Sequence, residues 1–195
     1  MNGKDYRQAI YNIDPIFLER WSPRAFSQQE VPEDILNGIL EAACWAPSAA
    51  NIQPWRFIIA RNKGDRNHFH SFINEGNLTW CKNAPVLILI MSKTSTERGP
   101  SISHAFDAGT AWGFLSLEAA KKGLITHAMG GFNRDKAREK LGISDDYQLH
   151  AVVAVGYLGD MSELSADHQA REKPSNRRPL KETIFEEKFG ESAKI

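Results

Sequence analysis

The longest unbroken apolar run, Pro85-Val86-Leu87-Ile88-Leu89-Ile90-Met91, predicts a strand covered on both faces. His150-Ala151-Val152-Val153-Ala154-Val155-Gly156-Tyr157 predicts a second buried strand, and Phe57-Ile58-Ile59-Ala60 a short one. Between these runs the period changes. Ile35, Leu36, Ile39, Leu40 and Ala43 recur at three- and four-residue intervals behind Pro32-Glu33-Asp34, the pattern of a helix with proline and acids at its start. Residues 102 to 122 predict a long helix containing Ala105, Ala108, Gly109, Ala111 and Gly113. Small residues let another helix approach closely, so it is expected at the centre or at a subunit interface. A short helix is expected from Arg134 to Leu141, ended by Gly142. Residues 6 to 18 carry Ile10, Ile13, Phe17 and Leu18 at loosely helical spacing, and Phe69, Phe72 and Ile73 suggest another helix, punctuated by residues 74 to 77. Residues 92 to 101 read as polar and flexible. The alternation of strands and helices indicates α/β or α+β with a mostly buried sheet.

The break in this pattern is the stretch from Ala43 to Phe57. Pro47 and Pro54 push the residues before them out of helical geometry, so the backbone between is extended or turning. Loops pinned between regular elements are where binding groups are displayed. The alternative is a connection whose Ser and Asn satisfy its own backbone.

The chain has 195 residues, the size of one domain, read as 1–195 with a polar loop at 160–178 and a C-terminal arm at 179–195. Leu180, Ile184, Phe185 and Phe189 of that arm need something apolar to pack against. Lys plus Arg equals Asp plus Glu at 24 each, which argues against a general nucleic-acid or anionic-membrane binder. Cys44 and Cys81 are far apart and outside any C-x-x-C pattern, so neither a disulfide scaffold nor a zinc site is expected. The start lacks the apolar run of a signal peptide and no stretch reaches transmembrane length, so a cytoplasmic protein is expected. Asn77-Leu78-Thr79 then reads as a chance glycosylation sequon.

Candidate chemistry narrows by elimination. No G-x-G-x-x-G follows a strand and there is no P-loop. His68 and His70 read as surface histidines rather than metal ligands, and Ser48 lacks the context of an esterase elbow. Neither Glu41 nor Glu118 has an evident carboxylate partner. What remains is Arg20 and Arg24 early, Ser48, Asn51 and Gln53 in the central loop, Gly130-Gly131, and Arg177-Arg178 late. Arginine suits phosphate through its planar fork, and a glycine pair offers backbone N–H groups unobstructed by side chains. Taken singly, each arginine reads as a surface charge.

Their neighbours change that weighing. RWSPRAF at 20–26 and EAACWAPSAANIQPWRF at 41–57 resemble the flavin-dependent nitroreductase family. GNLTWCKNAPVLILI at 76–90, HAFDAGTAWGFLSLEAAKKGL at 104–124, GGF at 130–132, LGI at 141–143, AVVAVGYLGD at 151–160 and RRPLKETI at 177–184 continue the match in order over nearly the whole chain. The resemblance implies an α+β three-layer sandwich with a mostly antiparallel central sheet, and a C-terminal arm laid onto the partner of an intertwined homodimer. It implies FMN at the subunit interface, with NADPH or NADH as electron donor. Arg20, Ser22 and Arg24 would hold the phosphate and nearby ribityl oxygens, with Arg177 and, less directly, Arg178 reaching in from the end of the chain. Pro47, Ser48 and Asn51, supported by Gln53, would contact the ring and ribityl chain from the other subunit. Asn77 would face the pyrimidine edge, and Gly130 and Gly131 would pack on the flavin. Hydride would pass through flavin N5 in a ping-pong cycle to nitro compounds, quinones or flavins, with no side-chain acid or base required. The short 92–101 segment and Ala49-Ala50 imply a roomy, weakly selective pocket. The alternatives are another flavin reaction in the same fold, such as a dehydrogenase or dehalogenase, or a non-enzymatic flavin-binding or storage protein.

Overall fold

The computed structural model describes residues 3–194. After a single 3-10 turn at Gly3–Asp5, residues 6 to 15 form no helix; of the short helix or two expected over 6–18, one is present, α1 (Ile16–Glu19), beyond Asp14-Pro15. Asp14-Pro15 stops a helix from extending back towards Ile10. Helix α2 (Glu33–Cys44) follows, burying Leu36, Ile39 and Ala43, then strand β1 (Trp55–Ala60). Helix α3 (Lys63–His70) is capped by Asn62, whose side chain accepts the Asp65 N–H, and ends before Phe72 and Ile73. Helix α4 (Glu75–Cys81) occupies the stretch expected to be a turn.

Strand β2 (Val86–Lys93) leads into a hairpin of β3 (Ser95–Thr96) and β4 (Gly99–Pro100), so the segment expected to be flexible is paired. Helix α5 (His104–Lys121), strand β5 (Ile125–Met129), helix α6 (Arg134–Leu141) and strand β6 (Tyr147–Gly156) complete the body. Gly142, at φ 63°, supplies the left-handed cap that ends α6. The 160–178 segment carries a 3-10 turn and the short helix α7 (Ala166–Gln169).

The sheet order is β1-β2-β6-β5 with every pair antiparallel. Alternation along the central strands divides two cores. Val86, Ile88, Ile90, Val153 and Val155 pack against α2 and α5, while Leu87, Leu89, Met91, Val152 and Ala154 pack against α3, α4 and α6. This explains the unbroken apolar run of β2: both of its faces are covered. The result is the expected three-layer α+β sandwich. A bulge between Ile90 and Met91 leaves His150 without a partner across the ladder. Its Nε2 lies 2.6 Å from the buried Ser92 hydroxyl, which also meets His104 Nδ1 at 2.7 Å, tying the start of α5 to the sheet.

The outer face of α5 is left apolar. Ile102 just before it, then Phe106 and Phe114, are exposed, with Ala105 and Gly109 between them. Among the described residues, no helix is long and apolar enough to cross a membrane.

Candidate functional site

The structure sorts the residues singled out in the sequence into three groups. The first is cationic. Arg7, Arg177 and Arg178 line one cleft of about 970 Å³, walled also by Tyr6, Tyr11 and Phe17. Arg20 lies close enough to feel both Arg7 and Arg177. Burial, then the charges of Arg177 and Arg20, holds the Arg7 guanidinium below its ordinary value, and burial and Arg177 do the same to Arg20. Arg20 Nη1 donates to Ser22 Oγ at 3.4 Å, and Arg177 Nη1 folds back on the carbonyls of Ser175 and Asn176 at 3.2 Å. Among the described residues, no carboxylate forms an ion pair with Arg7, Arg20 or Arg177. The donor set therefore fits a dianion such as a phosphate monoester, which would relieve the mutual repulsion.

Arg24 is treated differently. Its Nη1 meets Glu172 Oε2 at 3.5 Å, while Glu172 Oε1 accepts the N–H groups of Arg24 and Ala25 at 2.5 and 2.9 Å. The Glu172 side chain is fully buried. Alongside, His127 Nδ1 lies 3.0 Å from the Pro23 carbonyl, and its ring packs on Trp80 with centroids 4.5 Å apart. A carbonyl can only accept, so Nδ1 carries the proton that bonds Pro23. Burial, chiefly, lowers the His127 pKa and keeps the ring neutral.

The second group joins Asn77 to Gly131. Asn77 Nδ2 donates to the Gly131 carbonyl at 3.2 Å, and the Asn74 N–H donates to the same oxygen at 3.1 Å. A Cβ on Gly131 would stand 2.7 Å from Asn77 Nδ2, so a side chain here would push the Asn77 amide off the Gly131 carbonyl. Gly130 precedes it directly after β5, and its carbonyl accepts the Phe132 N–H at 3.2 Å.

The third group is the central loop. Ser48 Oγ accepts the Gln53 N–H at 3.0 Å, and Gln53 Nε2 donates to the Asn51 carbonyl at 3.1 Å. Ala50, Asn51 and Gln53 have φ of 48°, 55° and 50°, three non-glycine residues in the left-handed region within four positions. The buried carboxylate of Asp107 on α5 braces the loop by accepting the Ala49 N–H at 3.4 Å and the Ser103 hydroxyl at 3.0 Å. Ser48 and Gln53 thus serve their own backbone, as the alternative reading of the loop held, while Pro47 and Asn51 remain exposed.

These groups do not meet within one chain. The central loop leads into β1, one edge of the sheet, whereas Gly130-Gly131 follow β5, the other edge, beside which Pro23 and Arg24 are held through His127. Three strand spacings separate the edges, roughly 14 Å.

Sequence reasoning missed Arg7, Asp107, His127 and Glu172. Ile125-Thr126-His127-Ala128-Met129 does not alternate, so His127 carried no strand signal, and single charged residues carry none by themselves.

Comparison with known proteins agrees with the geometry. A crystallised oxidoreductase containing FMN is 44% identical, with a TM-score of 0.92 over 98% of this chain and 100% of its own. An NADH dehydrogenase from Thermus thermophilus is 26% identical over 202 residues, spanning 86% of this chain and 92% of that protein. An iodotyrosine deiodinase from Hydra vulgaris is 26% identical over 168 residues, 71% of this chain and 62% of that protein. The model of the Nitroreductase family matches residues 18–78 and 64–157, more than half the sequence, and the chain belongs to that family.

Proposed function

We propose that the protein is a cytoplasmic homodimeric oxidoreductase that binds FMN, oxidises NAD(P)H and reduces small electron-poor acceptors such as nitro compounds or quinones, with residues 1–195 acting as one unit. The observation that carries this reading is the arginine cluster: Arg20, Arg177 and Arg7 lie close together and, among the described residues, none of them is paired with a carboxylate, which suits a phosphate. Arg178 adds charge to the same cleft. Ser22 and Arg24 would contact the ribityl oxygens, and the hydrogen-bonded pair of Asn77 and Gly131 would face the ring.

When bound, FMN would supply the redox chemistry that links NAD(P)H oxidation to reduction of the acceptor. The chain's own work is binding, orientation and electrostatics. Its guanidiniums would hold the anionic end, and Gly130 and Gly131, with no side chains of their own, would leave room for the ring. The exposed Pro47 and Asn51 reach a site on a second subunit, which accounts for their position at the opposite sheet edge. The apolar face of α5 and the exposed Phe189 of the arm supply the surface for such a dimer. Cys44 and Cys81 are free thiols, in keeping with a reducing compartment.

An anaerobic visible spectrum before and after NADPH tests the reading. A flavin spectrum that bleaches, with FMN released on denaturation, is the expected result. A colourless protein that also refuses added FMN would overturn it, and a bound flavin that neither NADPH nor NADH bleaches would mean a storage protein.

A further inference from the structure

We infer that Arg7 is a positioning residue of the phosphate site, tying three separated segments together so that Arg20 and Arg177 face one anion. The inference rests on the FMN reading above and adds a residue to it. Arg7 Nη1 donates to the carbonyl of Arg20 at 2.6 Å and to that of Leu18 at 3.1 Å, the last turn of α1 and the residue that follows it. Its Nε donates to the Ser175 carbonyl at 2.8 Å, two residues before Arg177. Helix ends leave carbonyls without partners, and a guanidinium is the side chain that satisfies several of them at fixed angles.

Other contacts bring the segments near one another: the Lys4–Glu19 ion pair, the close approach of Gly3 to the Leu18 carbonyl, and the Glu172 bonds to Arg24 and Ala25. Arg7 adds the bonds that reach closest to Arg20 and Arg177. Arg20 and Arg177 repel each other, and bringing Arg7 between their backbones adds a third like charge. That arrangement works against the stability of the empty chain. It is explained when the cluster exists to receive two negative charges, with Arg7 fixing the spacing of its neighbours and adding to the local positive potential. A lysine at position 7 would keep the charge but not the fork, since one ammonium on a flexible stem does not hold three carbonyls of two segments in register.

The test uses the full-length chain stripped of flavin, titrated with FMN and with riboflavin by fluorescence quenching, in wild type, Arg7→Met and Arg7→Lys. The ratio of the two affinities isolates the phosphate and is insensitive to general loss of structure. Wild type is expected to favour FMN by more than about a hundredfold, from two or more charge-assisted hydrogen bonds. Both variants are expected to lower that ratio by about tenfold or more, with riboflavin affinity unchanged. The lysine variant keeps charge and stem, so it reports even where the methionine variant fails to fold. A wild-type ratio in both variants would overturn the inference. Loss in Arg7→Met with full retention in Arg7→Lys would also overturn it, because Arg7 would then act as a point charge and not as a brace. A wild-type chain that binds both flavins equally would overturn the phosphate assignment itself.

Discussion

Arg20 and Arg24 sit four residues apart on one turn, yet the fold gives them opposite surroundings. Arg24 faces the buried carboxylate of Glu172, which also takes two backbone N–H groups of the same turn. Arg20 faces Arg177 and Arg7 and has a hydroxyl as its side-chain partner. One guanidinium is neutralised by the chain and serves its stability. The other has no anionic partner among the described residues and, in the proposed function, is the one that would meet the ligand's phosphate. Two identical side chains in one short motif are therefore assigned different work by residues far away in sequence, 172 and 177.

The sharpest way to break this contrast is Glu172→Ala. It strips the partner from Arg24 and leaves two N–H groups unpaired, and is expected to cost roughly 3 kcal/mol, the lower end for a broken buried pair because Arg24 is partly solvated. Urea denaturation measures it; a loss under about 1 kcal/mol would mean water replaces the carboxylate. Arg20→Ala probes the other side. It is expected to weaken FMN by roughly 1.5–3 kcal/mol while leaving the flavin-free chain as stable or more so. Unchanged FMN affinity would sink the assignment of Arg20 to the phosphate.

A smaller effect is expected from His127, which lies beside the Arg24–Glu172 pair. Its pKa is lowered on folding from 6.5, so the unfolded chain binds the proton more readily. The stability this neutral ring contributes is present above about pH 6.5 and is lost as pH falls below it. His127→Gln should flatten the pH dependence of the denaturation midpoint between about pH 5 and 7, by no more than one proton's worth, ~1.4 kcal/mol per pH unit. An unaltered slope would assign the dependence to His150 or His70, whose values burial also lowers. The smallest change expected is from Ala50→Gly, which relieves a left-handed residue and should stabilise the chain by about 0.5–1 kcal/mol, with FMN affinity as the check that the loop keeps its shape.

The layers of the fold were legible because burial on both faces writes itself as an apolar run. Val86 to Met91 reads as a strand covered on both faces, and α2 and α6 were bounded by proline, acids and glycine. Strand β5 was not legible because an edge strand tolerates Thr126 and His127. Helix α4 was hidden behind Asn74-Glu75-Gly76-Asn77, which has the composition of a turn and becomes helical because Leu78, Trp80 and Cys81 pack on the sheet. Of the site, the arginines and the amide loop were visible through the family's motifs. Their partners were not, since a carboxylate at 172 or a guanidinium at 7 acquires meaning only when the chain returns on itself.

The separation of the central loop and the glycine pair on opposite sheet edges has a genetic consequence for the proposed dimer. A chain crippled at Arg20 and another crippled in the central loop would each be inactive alone. Mixed together, they would pair so that one of the two sites draws both of its halves from intact segments, and about half of the activity of each mixed dimer would return. Two null alleles of this gene would, in the proposed dimer, rescue one another, whereas two alleles damaged in the same half would not.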